Sequence, residues 1–311
     1  MGKYIITTGQ NLYDIAMHLY GSIEGIVDLL ILNPQLSLED KLAAGNELEY
    51  TDDFIINGDV IAYNKAHGLI PAGGERHVYP KQPSLPKIME FHLPPKKTSA
   101  GFVCSGTGKM EIDWGDNTRL EQQELGERTV RLHHNFDDAV ADKHKIRLYG
   151  GNLLFRELDL TDTVFTSGFF LQPVSVEKFT LARAVAGISF LSLLRDTYDI
   201  DLSGISTTSL LPLLKQKGLL KLDLTGAHVK TAVVDEFLIE LVRQYEQRHN
   251  CYIMLTTQPS GSYREPSMDE NGNYILATGM EAVWVLTHEL SWNEAGYWKI
   301  QINNDLYTTE S

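Results

Sequence analysis

The sequence predicts a multidomain α+β protein with a small βααβ domain, a β-sandwich, an α/β repeat solenoid and a C-terminal β cap. Three observations predict it. Residues 1–52 read as strand, helix, helix, strand. After Lys87 the apolar period switches to two. From Leu158 onward an apolar-x-apolar pattern recurs about every 21 residues. The first two are the periodicities of a helix pair and of half-buried strands, and the third is the mark of a repeat array. The expected boundaries are 1–52 for the first domain, 53–87 for an extended Pro/Gly-rich linker, 88–150 for the sandwich, 151–258 for the repeats and 259–311 for the cap.

In the first domain, Lys3 to Thr7 is a short strand and Thr8-Gly9-Gln10-Asn11 a turn. Asn11 is placed to cap a helix carrying Leu12, Ile15, Ala16 and Leu19 on one face. Asp14 sits in its first turn, where a carboxylate suits the helix dipole. Tyr20-Gly21-Ser22 ends that helix. Ile26, Leu29 and Leu30, with Ile23, form the inward stripe of the second. Asn33-Pro34 stops it, because a residue before proline avoids helical backbone. Leu48 leads the last strand to Tyr50.

Gly9 to Ala16, then Leu19-Tyr20-Gly21, Asn33-Pro34 and Leu42 to Leu48, resemble a LysM domain. The likeness is nearest to the LysM-like modules of phage tail and baseplate proteins of the tail protein X type, and it covers about one sixth of the chain. It implies one of two roles. In modules that bind peptidoglycan or chitin, an N-acetylglucosamine chain lies between two loops, here Thr8, Gly9, Gln10 and Asn11 with Pro34, Gln35 and Leu36. In phage tails and injection machines, such modules are protein–protein adaptors. Both roles remain open on the sequence.

Residues 53–87 contain the alternating stretch Phe54 to Tyr63, then dense Gly and Pro, which mark an extended connector. Pro71-Ala72-Gly73-Gly74-Glu75-Arg76-His77 offers a glycine pair beside cations, read as an ordered linker rather than an anion site. In the sandwich, Ile112-Asp113-Trp114-Gly115-Asp116-Asn117-Thr118, His134-Asn135-Phe136 and Lys145 to Leu148 resemble a PKD-like domain. Asn117 and Phe136 replace the Gly and Tyr usual there. Asp113 and Asp116 are expected to hold the turn through backbone amides rather than to bind a cation. His133, His134, Asp137, Asp138, Asp142 and His144 form a metal-like cluster, but their spacing fits no ligand motif and adjacent histidines on a strand face opposite ways. No metal site and no cofactor are expected.

The repeats run Leu158-Asp159-Leu160-Thr161, Phe179-Thr180-Leu181-Ala182, Ile200-Asp201-Leu202-Ser203, Leu222-Asp223-Leu224-Thr225 and Ile253-Met254-Leu255-Thr256. They resemble short leucine-rich repeats, each giving one parallel strand and a return segment; a small parallel α/β sheet is the alternative. The last step is longer because Thr231 to His249 reads as a helix. In the cap, Asn271-Gly272 signals a hairpin, and Ala282 to Leu286 and Trp298 to Ile302 read as strands. Trp284, Trp292, Tyr297 and Trp298 make an aromatic-rich end, expected to cover the stack.

Charge narrows the partners. The chain has 311 residues, 27 Lys+Arg against 41 Asp+Glu and a net charge of −14. That disfavours nucleic acid and anionic lipid, which need basic surface. Two cysteines, Cys104 and Cys251, exclude a disulfide framework. No apolar run reaches a membrane span and no signal peptide is visible, so synthesis in the cytoplasm is expected, with assembly into a phage-like particle or, alternatively, a place in the cell envelope. No P-loop follows Gly106-Thr107-Gly108, no Gly-x-Ser-x-Gly elbow occurs, and Glu111 with Asp113 reads as an exposed strand pair. The expectation is a non-enzymatic structural protein, a tail or baseplate-type adaptor whose partners are other protein subunits; the alternative is a peptidoglycan-binding surface protein.

Overall fold

The computed structural model describes residues 1–7, 9–38, 40, 42–72, 81–116, 118–136, 144–245, 248 and 250–309. The protein is mixed α/β, with one large multistranded sheet and five α-helices among the described residues. It divides into two compact units, Met1–Val78 and Tyr79–Ser311.

The first unit pairs β1 (Gly2–Ile5) antiparallel with β2 (Glu47–Tyr50). Between them lie α1 (Leu12–Leu19), a 3-10 turn (Ile23–Gly25) and α2 (Ile26–Leu32). Asn11 and Asp14 form the capping box of α1: each side chain accepts the other's backbone N–H, at 2.9 and 3.1 Å. Helix α1 and the Ile23–Leu32 segment meet at 111°. Gly21 makes the corner, with φ +69° and with the Asn57 carbonyl 2.0 Å from where a Cβ would stand. Only glycine fits both conditions. Beneath it the Tyr20 hydroxyl donates to Asp28 at 2.6 Å, and Asp28 also accepts from the amide and hydroxyl of Thr51. Burial opposes the Asp28 charge, but these donors outweigh it and hold its carboxyl below the usual range. Ile15, Ala16, Tyr20 and Leu29 are fully buried.

The sequence reading of 53–87 as extended needs correction. Gly58–Ala66 form helix α3, because Asn57 caps it by accepting the amides of Asp59 and Val60. The Tyr20 carbonyl accepts the N–H groups of Ile56 and Asn57, at 3.0 and 2.9 Å, and so anchors the helix start to the corner. The Gly73 to His77 part of the linker phrase lies outside the described residues.

The second unit begins with β3 (Lys87–His92), β4 (Ser99–Asp113), β5 (Glu121–Leu125), β6 (Val130–Asn135) and β7 (Lys145–Asp159). Strand β4 pairs antiparallel with β5 and β6 on one edge and with β7 on the other. Strand β7 also pairs with β3, and β3 with β8 (Ser167–Phe170). The expected boundary at 150 therefore falls inside a strand. Residues 154–159 of β7 pair parallel with β9 (Val174–Thr180), so hydrogen bonding runs unbroken into the repeats.

There the sheet becomes a parallel ladder. A two-residue strand, β10 (Leu194–Arg195), adds to β9, followed by β11 (Asp199–Asp201), β12 (Lys221–Leu224), β13 (Tyr252–Leu255) and β14 (Lys299–Ile302). Leu158, Phe179, Ile200, Leu222, Ile253 and Ile300 occupy one register, each at most 1% exposed. One face of each rung is buried, and the period near 21 is the length of one coil that returns the chain to it. Each Asp of the Leu-Asp-Leu pattern ends its strand locally: Asp159, Asp201 and Asp223 accept the N–H of Thr161, Ser203 and Thr225, all at 2.9 Å. Three residues beyond the paired positions Thr180, Asp201 and Asp223, Arg183, Gly204 and Gly226 take the same left-handed backbone, with φ of 56°, 68° and 67°. Return segments are 3-10 turns at 189–193 and 211–215 and then α4 (Thr231–Arg243).

The cap differs from its expectation. Ala282 to Leu286 lie in helix α5 (Gly279–His288), not in a strand. Thr278 and Glu281 form its capping box, a start signal that the unbroken apolar run obscured. Strand β14 forms the expected C-terminal hairpin with β15 (Asp305–Tyr307), which folds back on it antiparallel, and it is also a sixth parallel rung of the ladder.

Candidate functional site

In the first unit, the loops named for glycan binding are partly committed to the fold. Gln10 is 5% exposed. Its Nε2 donates to the Tyr4 hydroxyl and the Pro71 carbonyl, at 2.8 and 3.1 Å, and its Oε1 accepts the Thr7 amide at 2.8 Å. Asn11 caps α1. Leu36 packs against the buried core, while Gly9, Pro34 and Gln35 are exposed. Thr8 lies outside the described residues. Neighbouring Asn33, part of the Asn33-Pro34 helix stop and of the LysM-like motif, is buried and joins α2 to β2. Its Nδ2 donates to the carbonyls of Leu29 and Glu49, and its Oδ1 accepts the Glu49 amide, at 2.8, 2.9 and 3.0 Å.

A feature the sequence reading missed lies on the other side of α2. Ile23, Val27 and Ile31, spaced by four, are 54%, 59% and 70% exposed. Residues four apart on a helical segment are neighbours, so the three form one apolar row. Ile23 was expected on the inward stripe; it stands in this outward row instead. The signal was present in Ile26-Val27-Asp28-Leu29-Leu30-Ile31-Leu32, which is apolar around most of its circumference and so has a face beyond the one its own unit buries.

Beside α1, a cavity of about 410 Å³ is lined by His18, Ile61, Asn64, Lys65, Gly68, Leu69 and Ile70. His18 Nδ1 is buried without a hydrogen-bond partner among the described residues. Burial pushes its pKa down, which keeps the ring neutral at pH 7.

In the second unit the carboxylates singled out from the sequence hold structure. Glu111 and Asp113 are not the exposed pair expected: both are buried. Glu111 accepts the Ser84 hydroxyl and the amides of Ser84 and Leu85. Asp113 accepts the Gly115 amide at 2.9 Å, lies 2.9 Å from Arg147 and contacts Lys81. Asp116 accepts the Thr118 amide and hydroxyl and faces His134 Nε2 at 2.6 Å. His134 stacks on Trp114, with ring centroids 5.1 Å apart and planes 8° apart. Glu90 is ringed by Lys87, His92 and Arg147, at 2.7, 2.7 and 3.4 Å, which hold its pKa down at about 2. Of the metal-like cluster, Asp137, Asp138 and Asp142 lie outside the described residues, as does Asn117 of the turn.

At the aromatic end, Trp298 and Trp292 are buried, the latter stacked on Tyr245 at 4.1 Å. Trp284 stacks on His288 at 4.4 Å, and Tyr297 is exposed. Burial pushes the thiol of Cys104 up to about 12 and that of Cys251 higher still. Among the described residues, no single helix is long and apolar enough to cross a membrane. Comparison with protein families, curated proteins and solved structures finds no match to this chain.

Proposed function

We propose that the protein is a non-enzymatic interaction protein, an adaptor subunit of a tail or baseplate-type particle of phage origin. One observation carries the choice between the two roles of a LysM-like module. The polar side chains that would read acetamido groups, Gln10 and Asn11, are spent on internal hydrogen bonds, while Ile23, Val27 and Ile31 face outward. A surface that keeps its amides and exposes a row of aliphatic side chains suits a protein partner better than a sugar. The likenesses to PKD-like and short leucine-rich-repeat modules, which are common binding scaffolds, point the same way.

Peptidoglycan binding is the second reading, favoured by the exposure of Gly9, Pro34 and Gln35 at the loops where a glycan would lie. Two measurements separate them. Particles banded on a density gradient from the producing bacterium are expected to carry the full chain; a chain that stays at the top of the gradient defeats the adaptor reading. Purified full chain is expected to remain in the supernatant when peptidoglycan is pelleted. Pelleting that Gln35→Ala with Pro34→Ala abolishes would establish the glycan reading instead.

A further inference from the structure

The adaptor reading leaves open where on the first unit a partner sits and what kind of surface it brings. The row Ile23–Val27–Ile31 answers the first question. The helical segment 23–32 turns Ile26, Leu29 and Leu30 toward its own core and this row toward solvent. Apolar side chains at this spacing, each more than half exposed, make a contiguous strip rather than scattered surface residues.

Charge answers the second. From Tyr4 to Asp40 the sequence has no Lys or Arg but five acids: Asp14, Glu24, Asp28, Glu39 and Asp40. Residues 1–78 as a whole carry four Lys/Arg against eleven Asp/Glu, a net −7, half of the chain's −14. The apolar strip thus belongs to a unit of strongly negative net charge, with Glu24 exposed beside Ile23. A second copy of this chain would bring the same sign, and an anionic bilayer would too, so both are repelled. The complement is an apolar patch with a cationic margin.

We propose that the row Ile23–Val27–Ile31 docks a different protein whose contacting face has an aliphatic or aromatic centre and a Lys/Arg rim. This rests on the adaptor reading and adds the surface and the chemistry of the partner to it. The apolar centre supplies the holding energy, and the opposite charges speed and orient the encounter.

The test places the photo-crosslinker p-benzoylphenylalanine at position 27 of the full chain in the producing cells and identifies the adduct by mass spectrometry. The expected adduct is a peptide of another protein, apolar at its centre and flanked by Lys or Arg. An adduct with a second copy of this chain, or no adduct beyond that given by the crosslinker at exposed Thr225, overturns the proposal. In parallel, the full chain carrying Val27→Glu is expected to lose particle occupancy about tenfold. Glu24→Lys, which leaves the apolar row intact, is expected to lose about threefold, with the loss shrinking at high salt. Both sites are exposed, so an unchanged melting temperature shows that the fold is retained. Wild-type chain in the particle with Val27→Glu chain equally present overturns the docking surface and leaves the adaptor reading standing. Absence of wild-type chain from the particle sinks the adaptor reading itself, while the crosslink still reports on the surface. Pelleting with phosphatidylcholine vesicles that Val27→Glu abolishes would assign the row to lipid and overturn the proposal.

Discussion

At the scale of single residues, the strongest constraints come from buried polar groups with full sets of partners. Asn33 satisfies a helix carbonyl and both backbone groups of Glu49. Replacing it with Leu leaves those backbone groups desolvated and unpaired. Asn33→Leu is expected to cost about 2–3 kcal/mol, and hydrogen exchange should show the loss first at residues 47–50. Glu90 gives a pH signature. Its pKa falls from the ordinary 4.5 to about 2 in the folded protein because its cationic neighbours favour the charged form. A lowered folded pKa stabilises above the unfolded value, so this contribution is complete above pH 4.5 and is lost as pH falls toward 2. Thermal melts of Glu90→Gln are therefore expected to show about 2 kcal/mol less stability at pH 7 and a flatter decline between those two pH values. For the cysteines, burial raises both thiol pKa values, so alkylation by iodoacetamide in the native protein at pH 7 is expected to be negligible and to become complete only in denaturant.

At the scale of elements, the ladder is held by its inward rungs, not by its outward charges. Leu222 is fully buried between Ile200 and Ile253, so Leu222→Ala is expected to cost about 2–5 kcal/mol in denaturant unfolding. Lys178 pairs with Glu157 at 2.9 Å on a half-exposed surface, and Lys178→Ala is expected to cost under about 1 kcal/mol. This contrast explains what could be read in advance. The rungs were legible because a residue buried on a parallel ladder must recur with the coil, and Leu158, Phe179, Ile200, Leu222 and Ile253 do. The first unit's strands and paired helices were legible because Asn11, Gly21 and Pro34 punctuate them. Helix α3 was not, because none of its residues is buried, so no inward apolar stripe marks it; Asn57-Gly58-Asp59 was its one signal. Helix α5 was missed for the opposite reason, being buried nearly all round, which erases periodicity. For the candidate site, the loops could be named from the motif, but whether Gln10 was free depended on Tyr4 and Pro71, partners that sequence spacing does not reveal.

At the scale of the whole molecule, the second unit is a single sheet that changes character along its length, antiparallel where β4 and β7 run together and parallel from β7 to β14. Each parallel rung finds cover only on its neighbours. Strands β14 and β15 therefore cover the edge of β13, which a chain truncated after residue 295 would bare. The truncated chain is expected to aggregate, seen as light scattering at concentrations where the full chain stays clear. The outward side of the same ladder carries a further consequence. Glu157, Lys178, Asp199 and Lys221 stand rung beside rung, acid and base in alternation. The backbone repeats once per coil, but the charge repeats only once per two coils. Loss or duplication of one coil would set like charges side by side, whereas loss or duplication of two would restore the pattern. These four rungs thus have a parity that the backbone lacks, and it ends where the same row passes to Tyr252 and Lys299.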